Sequence, residues 1–262
     1  MVDIHSHIIP AIDDGVQTVE EALDLLRFEV SGGTTDFVAT PHIYNDQELA
    51  NSGQIPEKLD ALREAVIREG IKVNLHPGAE VYPSMGIAAA LDKNLPITVN
   101  GLGKHMLVDL PMGALPMDFD QILFEIQARG VTPILAHPER NAVFQHDPSK
   151  LVDYVERGIA LQVNAGSLKG KYGREAIAIS RHILKMHWAH FLASDAHKPK
   201  ERPILQEGVQ RLPEQLSDAY ITLLTKTSGA CILEGKPLPA LPESVPVPEK
   251  RAGLLSRLFG GR

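Results

Sequence analysis

Val2-Asp3-Ile4-His5-Ser6-His7-Ile8-Ile9-Pro10 opens the chain, and Ile12-Asp13-Asp14-Gly15 follows within one short loop. The opening reads as a strand. Successive strand side chains alternate between faces, so Asp3, His5 and His7 are expected on one side and Val2 and Ile4 in packing on the other. Two imidazoles spaced in this way can clasp one cation. An isolated His-x-His is equally compatible with two buried structural histidines, and the remainder of the chain has to decide between these readings.

Three later segments repeat a β-rich run that ends in a metal-competent side chain. They are Phe37-Val38-Ala39-Thr40-Pro41-His42, Pro133-Ile134-Leu135-Ala136-His137-Pro138-Glu139-Arg140 and Phe191-Leu192-Ala193-Ser194-Asp195-Ala196-His197. Two more runs end in carboxylates: Val73-Asn74-Leu75-His76-Pro77-Gly78-Ala79-Glu80 and His105-Met106-Leu107-Val108-Asp109. Apolar runs of this kind suit buried parallel strands, and α/β barrels carry their catalytic groups at the C-terminal ends of such strands. Five strand-end ligands together with the opening histidines point to a metal centre.

Alternating segments support a barrel. Strands are expected near 2–7, 36–41, 72–76, 105–109, 132–136, 159–164 and 190–194. Helices are expected from the capping box Thr18-Val19-Glu20-Glu21 to Gly32-Gly33, and over 55–69, 84–93, 118–129, 149–157, 173–187 and 215–227. Seven parallel strands at βα spacing argue for an α/β fold of distorted TIM-like (β/α)7 barrel type. No Gly-x-Gly-x-x-Gly follows a strand, which counts against a dinucleotide fold, and Gly101-Leu102-Gly103-Lys104 lacks the Walker spacing and reads as a turn.

The 262 residues, 44% hydrophobic and 23% charged, suffice for one large core. A net charge of −7 argues against nucleic acid as a partner. The single cysteine, Cys231, excludes internal disulfides and cysteine-rich metal sites and fits a reducing, cytoplasmic setting. With a strand expected from Val2, no signal peptide is expected, and no run approaches the length of a membrane span. The barrel is expected over 1–236. Pro237, Pro239, Pro242, Pro246 and Pro248 mark 237–249 as a stiff linker outside the barrel's hydrogen bonding. Residues 250–262 carry four basic and no acidic side chains. Leu254, Leu255, Leu258 and Phe259 would share a helical face there, giving a basic amphipathic tail suited to peripheral membrane contact, with plain disorder as the alternative.

The opening Asp3 to Pro10 with Ile12-Asp13-Asp14-Gly15, then Thr40-Pro41-His42, His137-Pro138-Glu139-Arg140 and Ser194-Asp195-Ala196-His197, resembles the metal-dependent protein-tyrosine phosphatases of bacterial capsule and exopolysaccharide loci. These are members of the polymerase-and-histidinol-phosphatase (PHP) superfamily, and the resemblance covers about residues 1–235. It implies a distorted (β/α)7 barrel with three divalent metal ions, manganese first and iron, zinc or magnesium compatible with an oxygen and nitrogen donor set. Position by position, it implies His5, His7, Glu80 and Asp195 around one metal, Glu80, Asp109 and His137 around a second, and Asp14, His42 and His197 around a third. The family's usual glutamate at the Asp109 position is here the shorter aspartate. The resemblance further implies a homo-oligomer.

Three divalent ions outweigh the four carboxylates, so the pocket would attract a phosphate dianion although the whole chain is acidic. The implied reaction is hydrolysis of phosphotyrosine on a protein by a metal-activated hydroxide, with a membrane-anchored tyrosine kinase of polysaccharide export as substrate. Arg140 and Arg202 are the candidate catalytic arginines, Arg140 the stronger because it lies three residues beyond His137. A cysteine phosphatase would need arginine six positions after its nucleophile; position 237 is proline, so Cys231 is read as a packing residue. The alternatives are a small-molecule phosphomonoesterase acting on a substrate such as histidinol phosphate, and a non-catalytic metal-stabilised scaffold.

Overall fold

The computed structural model describes residues 1–199 and 204–243. Among these residues nine short strands run in parallel: β1 Val2–Ser6, β2 Asp36–Ala39, β3 His42–Ile43, β4 Asn74–Pro77, β5 Glu80–Val81, β6 His105–Val108, β7 Thr132–Ala136, β8 Ala160–Asn164 and β9 Phe191–Ala193. They form two sheets, β1-β2-β4 and β3-β5-β6-β7-β8-β9. A parallel bridge between Ser6 and Ala196 joins β1 to the chain leaving β9. The Asp195 amide donates to the His5 carbonyl at 3.0 Å and the His7 amide to the Ala196 carbonyl at 2.9 Å, closing the ring there.

Seven chain passages thus build the barrel, and two of them are split. Thr40-Pro41 separates β2 from β3, and Gly78-Ala79, just after the Pro77 that ends β4, separates β4 from β5; proline lacks the N–H that a continuous ladder needs. A Cβ on Gly78 would lie 2.7 Å from Val38 Cγ1, so only glycine lets this passage cross β2 so closely. After each break the chain pairs again in a new place, and β5 rather than β4 meets β6, with Glu80 opposite Leu107. The breaks shift His42 and Glu80 towards the C-terminal mouth of the barrel.

Alternation along the strands sorts side chains into two cores. Ile134, Ala160, Phe191, Leu107 and Val38 face an inner cluster closed by Ile232. Leu135, Leu161, Leu192 and Phe37 face an outer layer with Leu26, Leu59, Ile126 and Ile183 of the surrounding helices. The opening strand departs from the expected alternation. Its register against β2 slips by one residue between Asp3 and Ser6, so Val2 and Ile4 join the inner cluster while the next residue, His5, also reaches into the barrel, towards Gln162. Asp3 does not share their face; its carboxylate accepts the amides of His5 and Ser194 instead. A bulge of this kind lets two neighbours point the same way.

The first helix, Val19–Ser31, is capped by Thr18 as expected, and helices at Gln54–Arg68, Gly86–Asp92, Phe119–Ala128, Lys150–Glu156 and Gly173–Lys185 match the sequence reading closely. The last one does not. Helical structure begins at Asp218 and continues to Leu233. Gly229 lies within it: a Cβ there would lie 2.6 Å from Val2 Cβ, so glycine lets the helix press on β1. Cys231 is half-buried in this helix. Of the proline-rich segment, residues up to 243 are described; Leu238 and Leu241 pack against the barrel, and the Glu243 carbonyl accepts from His187. The rest of that segment and the basic tail lie outside the described residues.

Candidate metal centre

At the mouth of the barrel the strand ends deliver imidazoles and carboxylates to one point. Glu80, fully buried, is at its middle. Its Oε2 lies 3.1 Å from His5 Nε2, 3.5 Å from His7 Nε2 and 3.0 Å from His42 Nδ1, and its Oε1 lies 3.0 Å from His137 Nε2. Asp195 Oδ1 lies 3.6 Å from His5 Nε2, 3.4 Å from His7 Nε2 and 3.4 Å from His197 Nδ1. Asp14 Oδ1 lies 3.6 Å from His42 Nε2 and 3.5 Å from His197 Nε2. Asp109 stands furthest out, 3.9 Å from His137 Nε2, as its shorter side chain requires. All nine sequence-nominated donors are brought together.

Three donor groups could each hold a cation: His5, His7 and Glu80; His42, Glu80 and Asp109; and His7, Asp14, His42 and His197. The division differs in detail from the expected one, since His7 joins the third group and His42 the second.

Two ligand positions adopt left-handed backbone, His137 with φ 34° and Asp195 with φ 53°. Non-glycine residues take this region only where the surroundings enforce it. Each immediately follows or nearly follows its strand, and the turn aims the side chain back over the barrel mouth.

The partners behind the donors set their state. His5 Nδ1 lies 3.0 Å from Gln162 Oε1, an oxygen that also receives the His137 amide at 3.4 Å, so the Nδ1 nitrogen donates and Nε2 is the nitrogen that a cation can take once it displaces the proton there. His7 Nδ1 donates to Asp13 Oδ2 at 2.7 Å with the same result; Asp13 also takes the His42 and Gly15 amides. This is the usual role of groups behind metal-bound imidazoles. Burial pulls the His5 imidazole down, but the Glu80 and Asp195 carboxylates outweigh it and set it at about 9. Burial likewise pushes Glu80 up, and the surrounding imidazoles hold it well below the usual carboxylate range. Asp109 is raised, by burial and by the charge of Glu80.

Arg140 is the stronger of the two candidate catalytic arginines. It lines the pocket, yet its Nη1 donates to Asp195 Oδ2 at 2.9 Å, and its guanidinium sits 4.0 Å above the Tyr172 ring. Asn164 Nδ2 donates to the same oxygen at 2.6 Å and Tyr172 OH at 3.3 Å. Arg202 lies outside the described residues. The sequence reading missed Gln162 and Asn164; their signal was polar residues at alternate positions of the otherwise apolar run Ala160–Asn164, both fully buried. His76 pairs with Asp36 at 3.1 Å and is not among the donors of the centre.

Six of the nine donors, Asp14, His42, Asp109, His137, Asp195 and His197, open onto a cavity of about 500 Å3 lined also by Tyr44, Tyr82, Leu110, Pro111, Met112 and Lys171. Aromatic and apolar walls over a charged floor suit an aryl phosphate.

Residues 1–234 match the family described as capsular polysaccharide synthesis, CpsB/CapC. The chain is 32% identical over 229 residues to the tyrosine-protein phosphatase YwqE of Bacillus subtilis (strain 168), covering 87% of this chain and 90% of YwqE. It is 27% identical over 208 residues to the tyrosine-protein phosphatase CpsB of Streptococcus pneumoniae, covering 78% and 85%. A chain from the crystal structures of YwqE and CpsB, described as unique metal-dependent tyrosine phosphatases, superposes with a TM-score of 0.85 at 30% identity, covering 95% of this chain and 100% of that one. With nearly the whole barrel matched in sequence and in backbone, this chain belongs to the CpsB/CapC family of capsular polysaccharide synthesis.

Proposed function

We propose that this protein is a metal-dependent protein-tyrosine phosphatase, built on a barrel spanning 1–236 and followed by a proline-rich linker and a basic tail. The observation that carries the reading is the ring of four imidazoles around the buried Glu80 carboxylate. His42 Nδ1 and Glu80 Oε2 face each other at 3.0 Å without a hydrogen bond, and both are buried. Buried polar atoms without partners are costly, and a cation between such donors satisfies them. The donor set therefore fits divalent metal.

In this reading His5, His7, Glu80 and Asp195 hold one ion, Glu80, Asp109 and His137 a second, and Asp14, His42 and His197 a third, with manganese favoured. Bound there, divalent ions supply Lewis acidity that activates water and neutralises phosphoryl oxygens. The chain's own residues orient the centre: Asp13 and Gln162 fix the tautomers of His7 and His5, and Asn164 holds Asp195. Arg140, on the cavity wall, is placed to bind a phosphoryl oxygen with the donors that Asp195 leaves free, a planar guanidinium offering five. Arg202 is a second candidate for that role. The substrate is phosphotyrosine on a protein, in the first instance a membrane-anchored tyrosine kinase of polysaccharide synthesis. The enzyme works as a cytoplasmic homo-oligomer at the inner membrane face; no helix among the described residues is long and apolar enough to cross a membrane.

Turnover of a phosphotyrosine peptide and of histidinol phosphate, with metal analysis of the same sample, tests the proposal. The peptide should be hydrolysed, chelation should abolish turnover, and Cys231→Ser should leave it intact. A folded, metal-loaded protein that prefers histidinol phosphate overturns the tyrosine reading, and one that turns over neither leaves the scaffold alternative.

A further inference from the structure

A second cavity, of about 250 Å3, adjoins the metal-centred one and shares Asp14, His42 and Tyr44 with it. Tyr44 is the partition. Its ring stacks on His42 at 4.6 Å and 22°, and it is half exposed, which puts it at the mouth of both cavities. Glu48 fixes the loop beneath it by accepting the Tyr44 amide at 2.6 Å and Asn45 Nδ2 at 2.7 Å.

Ile12, Pro41, Ile43 and Ile55 give the second cavity an apolar wall, beside the carboxylates Asp13, Asp14 and Glu48. Ser52 also lines it, with its side chain buried. Ile12, Ile43, Ser52, Gln54 and Ile55 are not among the metal donors or the groups that orient them.

We infer that this second cavity is a subsite for a side chain flanking the phosphotyrosine of the protein substrate. The inference rests on the tyrosine phosphatase reading and deepens it. With the phosphate on the metals and its ring in the first cavity, the substrate backbone emerges at Tyr44, and a neighbouring residue then has the second cavity within reach. The occupant is an uncharged side chain with an apolar body. Glu48 and Asp13, both lining the cavity, disfavour aspartate and glutamate by like-charge repulsion.

Gln54 lies at the rim, exposed at the start of its helix, so Gln54→Trp fills the cavity without disturbing a packed core. The measurement is kcat/KM for p-nitrophenyl phosphate and for phosphotyrosine peptides flanked by leucine, glycine or glutamate. Wild type should prefer the leucine peptide over the others. Gln54→Trp should lower kcat/KM for the leucine peptide about tenfold, through KM, a size ordinary for a lost apolar pocket contact. It should leave p-nitrophenyl phosphate within about twofold of wild type, and Gln54→Ala should behave as wild type on every substrate. Equal loss on p-nitrophenyl phosphate and peptide, or no flanking preference in wild type, overturns the subsite while leaving the phosphatase reading standing. Failure of wild type to turn over either class of substrate overturns both.

Discussion

Four imidazoles converge on the two oxygens of Glu80, and that crowding ties metal affinity to protons. Without a cation, His5 keeps its proton up to about pH 9 because the Glu80 and Asp195 carboxylates outweigh the effect of burial. Metal must displace that proton, so loading at pH 7.5 should release protons, and affinity should rise as the pH approaches 9. Calorimetric titration with manganese in two buffers of different ionisation enthalpy measures the release; identical heats in both would contradict the protonated state. Asp195 offers a second prediction. Its Oδ2 receives Arg140 and Asn164, so Arg140→Ala leaves the carboxylate held by Asn164 and should keep its metal while activity falls about 10–100-fold. Asn164→Leu should lose metal as well. Elemental analysis beside kinetics separates the two, and equal metal loss in Arg140→Ala would place that arginine with the ligands' supports rather than with the substrate.

At the scale of elements, the centre depends on irregular strands. A regular β1 would turn His5 away from Ile4's face, and the register slip between Asp3 and Ser6 is what lets both enter the barrel. Likewise the proline breaks place His42 opposite Glu80. One helix contact carries a pH signature. Glu29 of the first helix is 2% exposed and accepts the Ile204 amide at 2.7 Å. Burial pushes its carboxyl up to about 8, assisted by the charge of Asp3. A folded-state value above the unfolded 4.5 means that the native protein binds the extra proton. Stability from this group is therefore full below about pH 4.5 and is lost as pH rises to about 8. Glu29→Gln should flatten the pH dependence across that window and be the more stable form at pH 9, by an amount on the order of a few kcal/mol. Urea unfolding of both proteins at pH 5, 7 and 9 checks it; parallel pH profiles would count against a buried neutral Glu29.

For the whole molecule, an acidic chain with a net charge of −7 ends in a segment of four basic side chains, Lys250, Arg251, Arg257 and Arg262. Anionic membrane attracts such residues by about 1 kcal/mol each near the surface. One short amphipathic segment binds weakly and reversibly, so several copies on an oligomer would be needed for a firm hold. Removing residues 250–262 should leave peptide hydrolysis unchanged and reduce co-sedimentation with anionic vesicles at low salt. If the full-length protein ignores such vesicles, the membrane role of the tail fails.

Strand ends were legible because a parallel strand buried on both faces is a short apolar run, and a histidine or carboxylate that closes it stands out. His42, Glu80, Asp109, His137 and Asp195 could be named on that ground, and the helices on their caps and spacing. Local pattern could not show where the strands break. Proline at 41 and 77 and the slip in β1 change which neighbour each residue faces, and pairing is a property of two chains rather than of one. Nor could it show Gln162, Asn164 and Tyr172 behind the donors, since nothing near them in sequence marks their partners. His5 meets Gln162 across 157 residues and Asp195 meets Asn164 across 31. The donor types were written in the chain; which oxygen each nitrogen faces, and so how the charges settle, was decided only when the barrel closed.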